Sequence, residues 1–135
     1  MVAKRESIGK RIKRLRLERG LSQRDLSAPG ISYAYISRVE ADARTPSAKA
    51  LRRIANKLGV TVEHLETGTA TPTELGVADA GLEFGSLTKA EVTTIRAAAA
   101  EGAREAARRA AEQVIEDRKE AERVRLLRRL KELDG

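Results

Sequence analysis

The chain contains no cysteine and only one histidine, His64, among its 135 residues. Without cysteine there is no disulfide framework, no thiolate nucleophile and no thiolate zinc site. A single histidine also argues against a metal centre, and we expect His64 to lie at the surface or to pack rather than to carry chemistry. We therefore predict that the protein uses neither a metal ion nor another cofactor.

Catalytic motifs are missing too. The sequence has no glycine-rich phosphate loop, no Ser/His/Asp arrangement and no cluster of metal-ligating residue types. Its length allows one ordinary domain, or a small domain with an extension. We predict that the protein is not an enzyme.

Long hydrophobic runs are absent as well. Nowhere do ~18 apolar residues follow one another, and no apolar segment follows the charges near the start of the chain. The sequence therefore predicts neither a membrane span nor a secretory leader. We expect a soluble protein of the cytoplasm.

Charge is abundant and unevenly distributed. Residues 1–65 carry 15 Lys and Arg against 6 Asp and Glu, a net charge of +9. Residues 66–85 carry 0 against 4, and residues 86–135 carry 12 against 10. A basic field on a small segment suits a polyanion, because each neutralised phosphate releases condensed counterions. A basic surface that serves solubility alone is the alternative, and charge does not separate the two.

Helical spacing and capping residues predict five short helices in residues 1–68. The predicted ranges are 7–19, 22–26, 32–41, 45–58 and 61–65. Ser22 and Asp25 form a capping-box pattern for the second helix. Thr45 followed by Pro46 predicts a cap and a first-turn proline for the fourth helix.

The rest of the chain divides into two segments. Residues 69–85 lack a sustained helical stripe and predict a linker. Residues 86–135 begin with the capping box of Thr88 and Glu91, contain no proline and have only Gly102 as an interior glycine. We predict a long helical arm that dimerises the protein, built as one helix or two.

Two apolar stripes run along this predicted arm. The first consists of Val92, Ile95, Ala99, Ala103, Ala106, Ala110 and Val114. The second lies on nearly the opposite face and consists of Ile115, Leu126, Leu130 and Leu133. The change of face indicates either a bend within Glu116 to Glu120 or one helix that contacts two partners.

The spacing of residues 8–68 resembles the Cro and phage-repressor family of helix-turn-helix regulators, also called the xenobiotic-response-element (XRE) family. The matching positions are Ile8-Gly9, Ile12, Leu15-Arg16, Gly20 to Gln23, Leu26, Gly30 to Ser32, Ile36-Ser37, Glu40, Arg44, Pro46-Ser47, Leu51, Ile54-Ala55 and Leu58 to Val60. The resemblance implies an all-α fold with a five-helix DNA-binding domain, followed here by the linker and the arm.

The sequence departs from the family pattern at two places. Asp42 stands where the family usually has glycine or another small turn residue, although Asp tolerates left-handed geometry better than most residues. The stretch from Leu26 to Gly30 is one residue shorter than the common pattern and includes Pro29.

The resemblance implies how DNA is read. In this family the third helix enters the major groove, and its N-terminal residues meet base edges. By position, the base-reading residues are Ser32, Tyr33, Ala34, Ser37 and Arg38. Arg38 can donate two hydrogen bonds to a guanine, and Ala34 can touch a thymine methyl. The alternative is that Tyr33 and Arg38 only contact phosphates.

The resemblance also implies phosphate contacts at Ser22, Gln23, Tyr35 and Arg44. Gln23 as a plain first-turn residue is the alternative, and Tyr35 either packs against the domain or reaches a phosphate. 

Arg16 and Glu40 match positions that the family often joins in a partly buried ion pair. Such a pair would be structural, and the alternative for Glu40 is an exposed acid at a helix end.

We therefore predict a sequence-specific regulator that binds double-stranded DNA as a homodimer in the nucleoid. Repression by promoter occlusion is the default expectation, with activation left open. The rival is an antitoxin-like interaction protein, whose arm binds a protein partner while its DNA-binding domain autoregulates.

Overall fold

The computed structural model describes residues 6–134; residues 1–5 and 135, which belong to the first and last predicted segments, lie outside the described part. Within residues 6–134 the chain is all α, as predicted. The six helices are α1 Ile8–Glu18, α2 Tyr33–Glu40, α3 Ala48–Leu58, α4 Val62–Thr67, α5 Pro72–Asp79 and α6 Lys89–Asp134. Two single 3-10 turns cover Arg24–Leu26 and Phe84–Ser86.

The chain forms two compact units. Of the described residues, the first comprises 6–71 together with Phe84–Ser86, and the second comprises Pro72–Glu83 and residues 87–134. None of the described helices combines the length and the apolar character that a membrane span requires.

An aliphatic core holds the first unit together. It consists of Ile12, Leu15, Leu26, Ile31, Ile36, Val39, Ala50, Leu51, Ile54, Ala55, Leu58, Val60 and Leu65. The five helices predicted for this region are present, and the second of them is the 3-10 turn Arg24–Leu26. Burial of such side chains supplies most of the stability of a small helical domain.

Hydroxyl side chains begin the four α-helices of this unit. Each accepts a hydrogen bond at 3.0–3.1 Å from the backbone N–H three residues later, and the four are Ser7, Ser32, Ser47 and Thr61. The prediction for the fourth helix was therefore wrong in its cap. Ser47 rather than Thr45 caps α3, and Pro46 precedes the helix, because the hydroxyl of Ser47 reaches the N–H of Ala50.

The start of α1 lies very close to the end of α2. A Cβ on Gly9 would lie 2.0 Å from the carbonyl oxygen of Val39, so no larger residue fits at this position. Asp42 follows α2 with a φ of 60°, the left-handed geometry that Asp tolerates. Its carboxylate accepts a hydrogen bond of 2.7 Å from the hydroxyl of Ser7. The departure from the family pattern at Asp42 thus preserves the turn.

The segment 69–85 is not free of helix, contrary to our prediction. It contains α5, which buries Thr73, Glu74, Gly76 and Val77. These residues form no apolar stripe, so the pattern gave no helical signal. A Cβ on Gly76 would lie 2.5 Å from the Cβ of Ala107, and glycine therefore allows α5 to pack closely on α6.

Helix α6 is two helices joined by a sharp bend. Gly102 and Ala103 have non-helical dihedral angles, with φ of 52° and ψ of −137° at Ala103. Across the bend, Arg118 donates to Glu91 at 2.7 and 3.1 Å. These residues would be ~40 Å apart on a straight helix, so the parts of α6 before and after the bend are antiparallel. We call these parts the first and the second arm of α6. Hydrogen bonds from Arg118 and from the Thr88 backbone lower the pKa of Glu91 to about 2.

The bend changes which residues of the arm are buried. It lies at Gly102 and Ala103, and the predicted alternative of a bend within Glu116 to Glu120 was wrong. The buried residues of α6 are Ile95, Ala107, Ala111 and Val114. The predicted first stripe therefore holds only in part, because the bend resets the helical phase after Gly102.

The bend predicts the effect of a glycine at Ala103. A positive φ strains an L-residue by about 1–3 kcal/mol, whereas glycine adopts it freely at an entropic cost of about 1 kcal/mol. We expect Ala103→Gly to leave the free energy of unfolding unchanged or to raise it by up to about 2 kcal/mol, as measured by denaturant titration.

Ala121→Gly is the matched control, because Ala121 is exposed within the helical part of the second arm. Glycine there is expected to cost about 1 kcal/mol. A similar loss at Ala103 would contradict the bend and indicate a continuous helix.

Candidate nucleic-acid interface

Helix α2 has one buried and one exposed face. Ile36, Val39 and Glu40 are buried in the domain. On the other side Ser32, Tyr33, Ala34 and Arg38 are exposed and Ser37 is half-buried, as their 3.6-residue spacing requires. The structure thus brings the five predicted base-reading residues together on one accessible surface, which we call the α2 surface.

A buried ion pair fixes this helix against α1. Arg16 donates to Glu40 through Nε at 2.8 Å and through Nη2 at 2.9 Å, so that the pair is bidentate. The two side chains are 9% and 3% exposed, which rules out the alternative of Glu40 as an exposed helix-end acid. The hydrogen bond to Glu40 raises the pKa of Arg16, although burial opposes this.

The same pair holds the segment between the two helices. The Nη1 of Arg16 donates to the carbonyl oxygen of Leu21 at 2.9 Å. Gln23 donates its side-chain amide to Glu40 at 3.2 Å. Gln23 is therefore more than a plain first-turn residue, because it ties the 3-10 turn to the end of α2.

The capping box at Ser22 is formed. Its backbone N–H donates to the carboxylate of Asp25 at 2.7 Å, and its hydroxyl accepts from the N–H of Asp25 at 3.1 Å. The bond from the Ser22 N–H lowers the pKa of Asp25. Ser22 and Gln23, two of the residues predicted to contact phosphate, lie beside the α2 surface at the start of the 3-10 turn.

Tyr35 and Arg44 form one border of the α2 surface. The guanidinium of Arg44 lies over the ring of Tyr35, 4.9 Å from its centroid. The Tyr35 hydroxyl accepts a hydrogen bond of 3.1 Å from the backbone N–H of Ser47, and its ring packs against the aliphatic core. Of the two alternatives for Tyr35, these contacts favour packing, and they leave Arg44 as the exposed cation of the pair.

A second tyrosine and arginine pair, which the sequence analysis missed, forms the opposite border. The guanidinium of Arg24 lies 5.6 Å from the ring centroid of Tyr33. Both side chains are exposed. Arg24 directly follows Gln23 in the sequence. Its place in the predicted second helix was the only sequence feature that could have identified it.

Arg11 is a further residue whose role the spacing of α1 does not indicate. Although it is charged, it is only 8% exposed. Its guanidinium donates to the carbonyl oxygens of Leu65 at 2.6 Å and Glu66 at 3.1 Å, at the end of α4. Arg11 therefore stabilises the helix end that closes the domain and is not available to a ligand.

Known helix-turn-helix proteins resemble part of this chain. A family model described as helix-turn-helix matches residues 12–65. The uncharacterized HTH-type transcriptional regulator y4dJ of Sinorhizobium fredii (strain NBRC 101917 / NGR234) is 38% identical over 68 residues, which cover 50% of this chain and 86% of that protein. The residues matched by the family model include the α2 surface and the buried ion pair.

Proposed function

Because this chain belongs to the XRE type of helix-turn-helix transcriptional regulators, which bind DNA, we propose that it acts as a homodimeric repressor with α2 in the major groove. Promoter occlusion by the bound dimer would lower transcription. We place this activity in the cytoplasm, on the nucleoid, and assign no cofactor or catalytic step to it.

The α2 surface carries the proposal. Its exposed residues are short except for Tyr33 and Arg38, so the backbone of α2 can approach the base edges closely. Arg38 is exposed on the second turn, where a guanidinium can pair with O6 and N7 of a guanine. We assign base reading to Ser32, Tyr33, Ala34, Ser37 and Arg38.

Phosphate contacts on both sides of this surface supply most of the affinity in the proposal. Ser22 and Gln23 stand at one side, and Arg44, which lies on the ring of the packed Tyr35, stands at the other. The net charge of +9 on residues 1–65 supports this role, because the release of counterions from phosphates favours binding.

Dimerisation would join two such domains on one operator. A single small domain contacts too few base pairs to select one site, and members of helix-turn-helix families bind paired half-sites. The second arm of α6 leaves Leu126, Leu130 and Leu133 between 48% and 82% exposed. Apolar residues on one helical stripe support a contact with a second copy of this chain.

The same leucines also fit the antitoxin-like alternative, in which the arm binds a different protein. The two proposals differ in the state of the isolated chain. A homodimer forms without any other component, whereas the alternative leaves the pure chain monomeric and requires a stoichiometric partner.

Two substitutions separate base reading from phosphate contact. Arg38→Ala should weaken binding to the best site by about 1–3 kcal/mol and relax the preference mainly at one base pair per half-site. Arg44→Ala should weaken good and poor sites about equally and lower the salt slope by about one. Selection from randomised duplexes and fluorescence anisotropy against salt measure the two effects.

Thermal melts of both variants serve as the control for folding, because both side chains are exposed. Arg38→Ala should leave the melting temperature unchanged, and Arg44→Ala should lower it only by the few degrees that the lost contact with the Tyr35 ring costs. An unchanged base preference for Arg38→Ala would contradict our assignment of the α2 surface.

A further substitution tests dimerisation through the exposed leucines of α6. Leu130→Lys in the full chain should shift sedimentation from dimer to monomer, because it places a charge within the proposed seam. Val124→Lys is the matched control, since Val124 is also an exposed apolar residue but lies more than 100° from the leucine stripe. A monomeric wild-type chain, or equal effects of the two changes, would contradict dimerisation through these leucines.

A further inference from the structure

An open groove lies next to the α2 surface on its Tyr35 side. Its volume is about 370 Å³, and its walls are Tyr35, the segment from Arg44 to Ser47, and the first turns of α3. Arg44, Lys49 and Arg53 contribute three cations to these walls, and the residues that line this described part of the surface include no carboxylate. We call it the basic groove.

Two of the three cations are already held in place. Arg44 lies on the ring of Tyr35, and the hydroxyl of Tyr35 is fixed by the backbone N–H of Ser47. Arg53 donates through Nη1 to the carbonyl oxygen of Pro29, in the turn before α2. Guanidinium groups that are ordered before binding lose less conformational entropy when an anion arrives. Arginine also presents planar donors that match the oxygens of a phosphate.

The third cation has an unfavourable position in the free protein. Lys49 is in the first turn of α3, where the positive end of the helix dipole disfavours a cation. No acidic residue is present in that turn to offset it. Lys57, in contrast, is in the last turn of the same helix, where the dipole favours a positive charge. An anion bound in the basic groove would neutralise the charge that accumulates at the start of α3.

We propose that the basic groove binds a phosphate group of the DNA backbone through Arg44, Lys49 and Arg53. This inference rests on the proposed function and extends it, because it adds Lys49 and Arg53 to the DNA-contacting residues. The groove adjoins the α2 surface, so a phosphate of the strand beside the major groove is the anion that reaches it when α2 binds. The contact then continues from the turn at Arg44 onto α3 and fixes the domain on the duplex without reading bases.

The test compares two lysines of one helix. Binding of the full chain to a duplex chosen by the wild-type protein is measured by anisotropy from low to high salt, for Lys49→Ala, Arg53→Ala and the matched control Lys57→Ala. Each phosphate contact contributes about 0.9 to the salt slope. Over a tenfold rise in salt, the wild type should therefore lose about eightfold more affinity than Lys49→Ala or Arg53→Ala, and Lys57→Ala should keep the wild-type slope.

The possible results separate the groove from the function. A steep wild-type salt slope that neither Lys49→Ala nor Arg53→Ala changes would overturn the phosphate contact in the basic groove and leave the proposal of DNA binding intact. Equal reductions of the salt slope by all three variants would also overturn the proposed contact, since they would indicate a general electrostatic attraction rather than a site in the basic groove. A flat wild-type slope would contradict the proposed function itself.

Titration of the free chain with inorganic phosphate, followed by NMR, distinguishes the source of the anion. Saturable binding that Lys49→Ala abolishes, without any change in the DNA salt slope, would assign the groove to a free anion and overturn our proposal. Melting temperatures of all variants exclude unfolding as the cause.

Discussion

The bidentate contact of Arg16 with Glu40 is the interaction on which the DNA-binding unit depends. One guanidinium reaches the end of α2 and the carbonyl oxygen of Leu21, and Glu40 also accepts from Gln23. Because both charges are buried, each is stable there only while the other is present. Helix α1, the 3-10 turn and α2 are thereby joined at one point, and the geometry of the α2 surface follows from it.

The side of α2 that this ion pair leaves free is bordered by two similar pairs. Arg24 lies on Tyr33 at one edge, and Arg44 lies on Tyr35 at the other. An aromatic ring under a guanidinium limits the freedom of both groups while the cation keeps access to solvent. The surface therefore combines the few side chains that we propose to read bases with cations at its borders, an arrangement that suits the edges of a major groove.

Local signals predicted the first unit well because its helix ends are made by local hydrogen bonds. Serine and threonine caps and the Asp42 turn each act within four residues, so that spacing alone reveals them. The error in the fourth helix, a cap at Thr45 instead of Ser47, arose because both are hydroxyl residues beside Pro46. The residues proposed to contact DNA were identified by resemblance to a family, since no local rule specifies them.

Other features depend on contacts that are distant in sequence. Arg11 is buried because its guanidinium donates to carbonyl oxygens at the end of α4. These carbonyls are more than fifty residues away in sequence, so no spacing within α1 indicates the contact. Helix α5 has no apolar stripe because Gly76 packs through its backbone against Ala107 and its neighbours. The bend at Ala103 requires a backbone geometry that alanine rarely adopts, so no local rule placed it there rather than within Glu116 to Glu120.

A double-mutant cycle on Arg16 and Glu40 tests the central claim most directly. Arg16→Met and Glu40→Leu should each lower the free energy of unfolding by about 3–5 kcal/mol, because each leaves one buried charge unpaired. The double variant should lose far less than the sum of the two, since neither charge remains. Losses that simply add, or single losses below about 1 kcal/mol as for an exposed pair, would show that this ion pair does not hold the unit together.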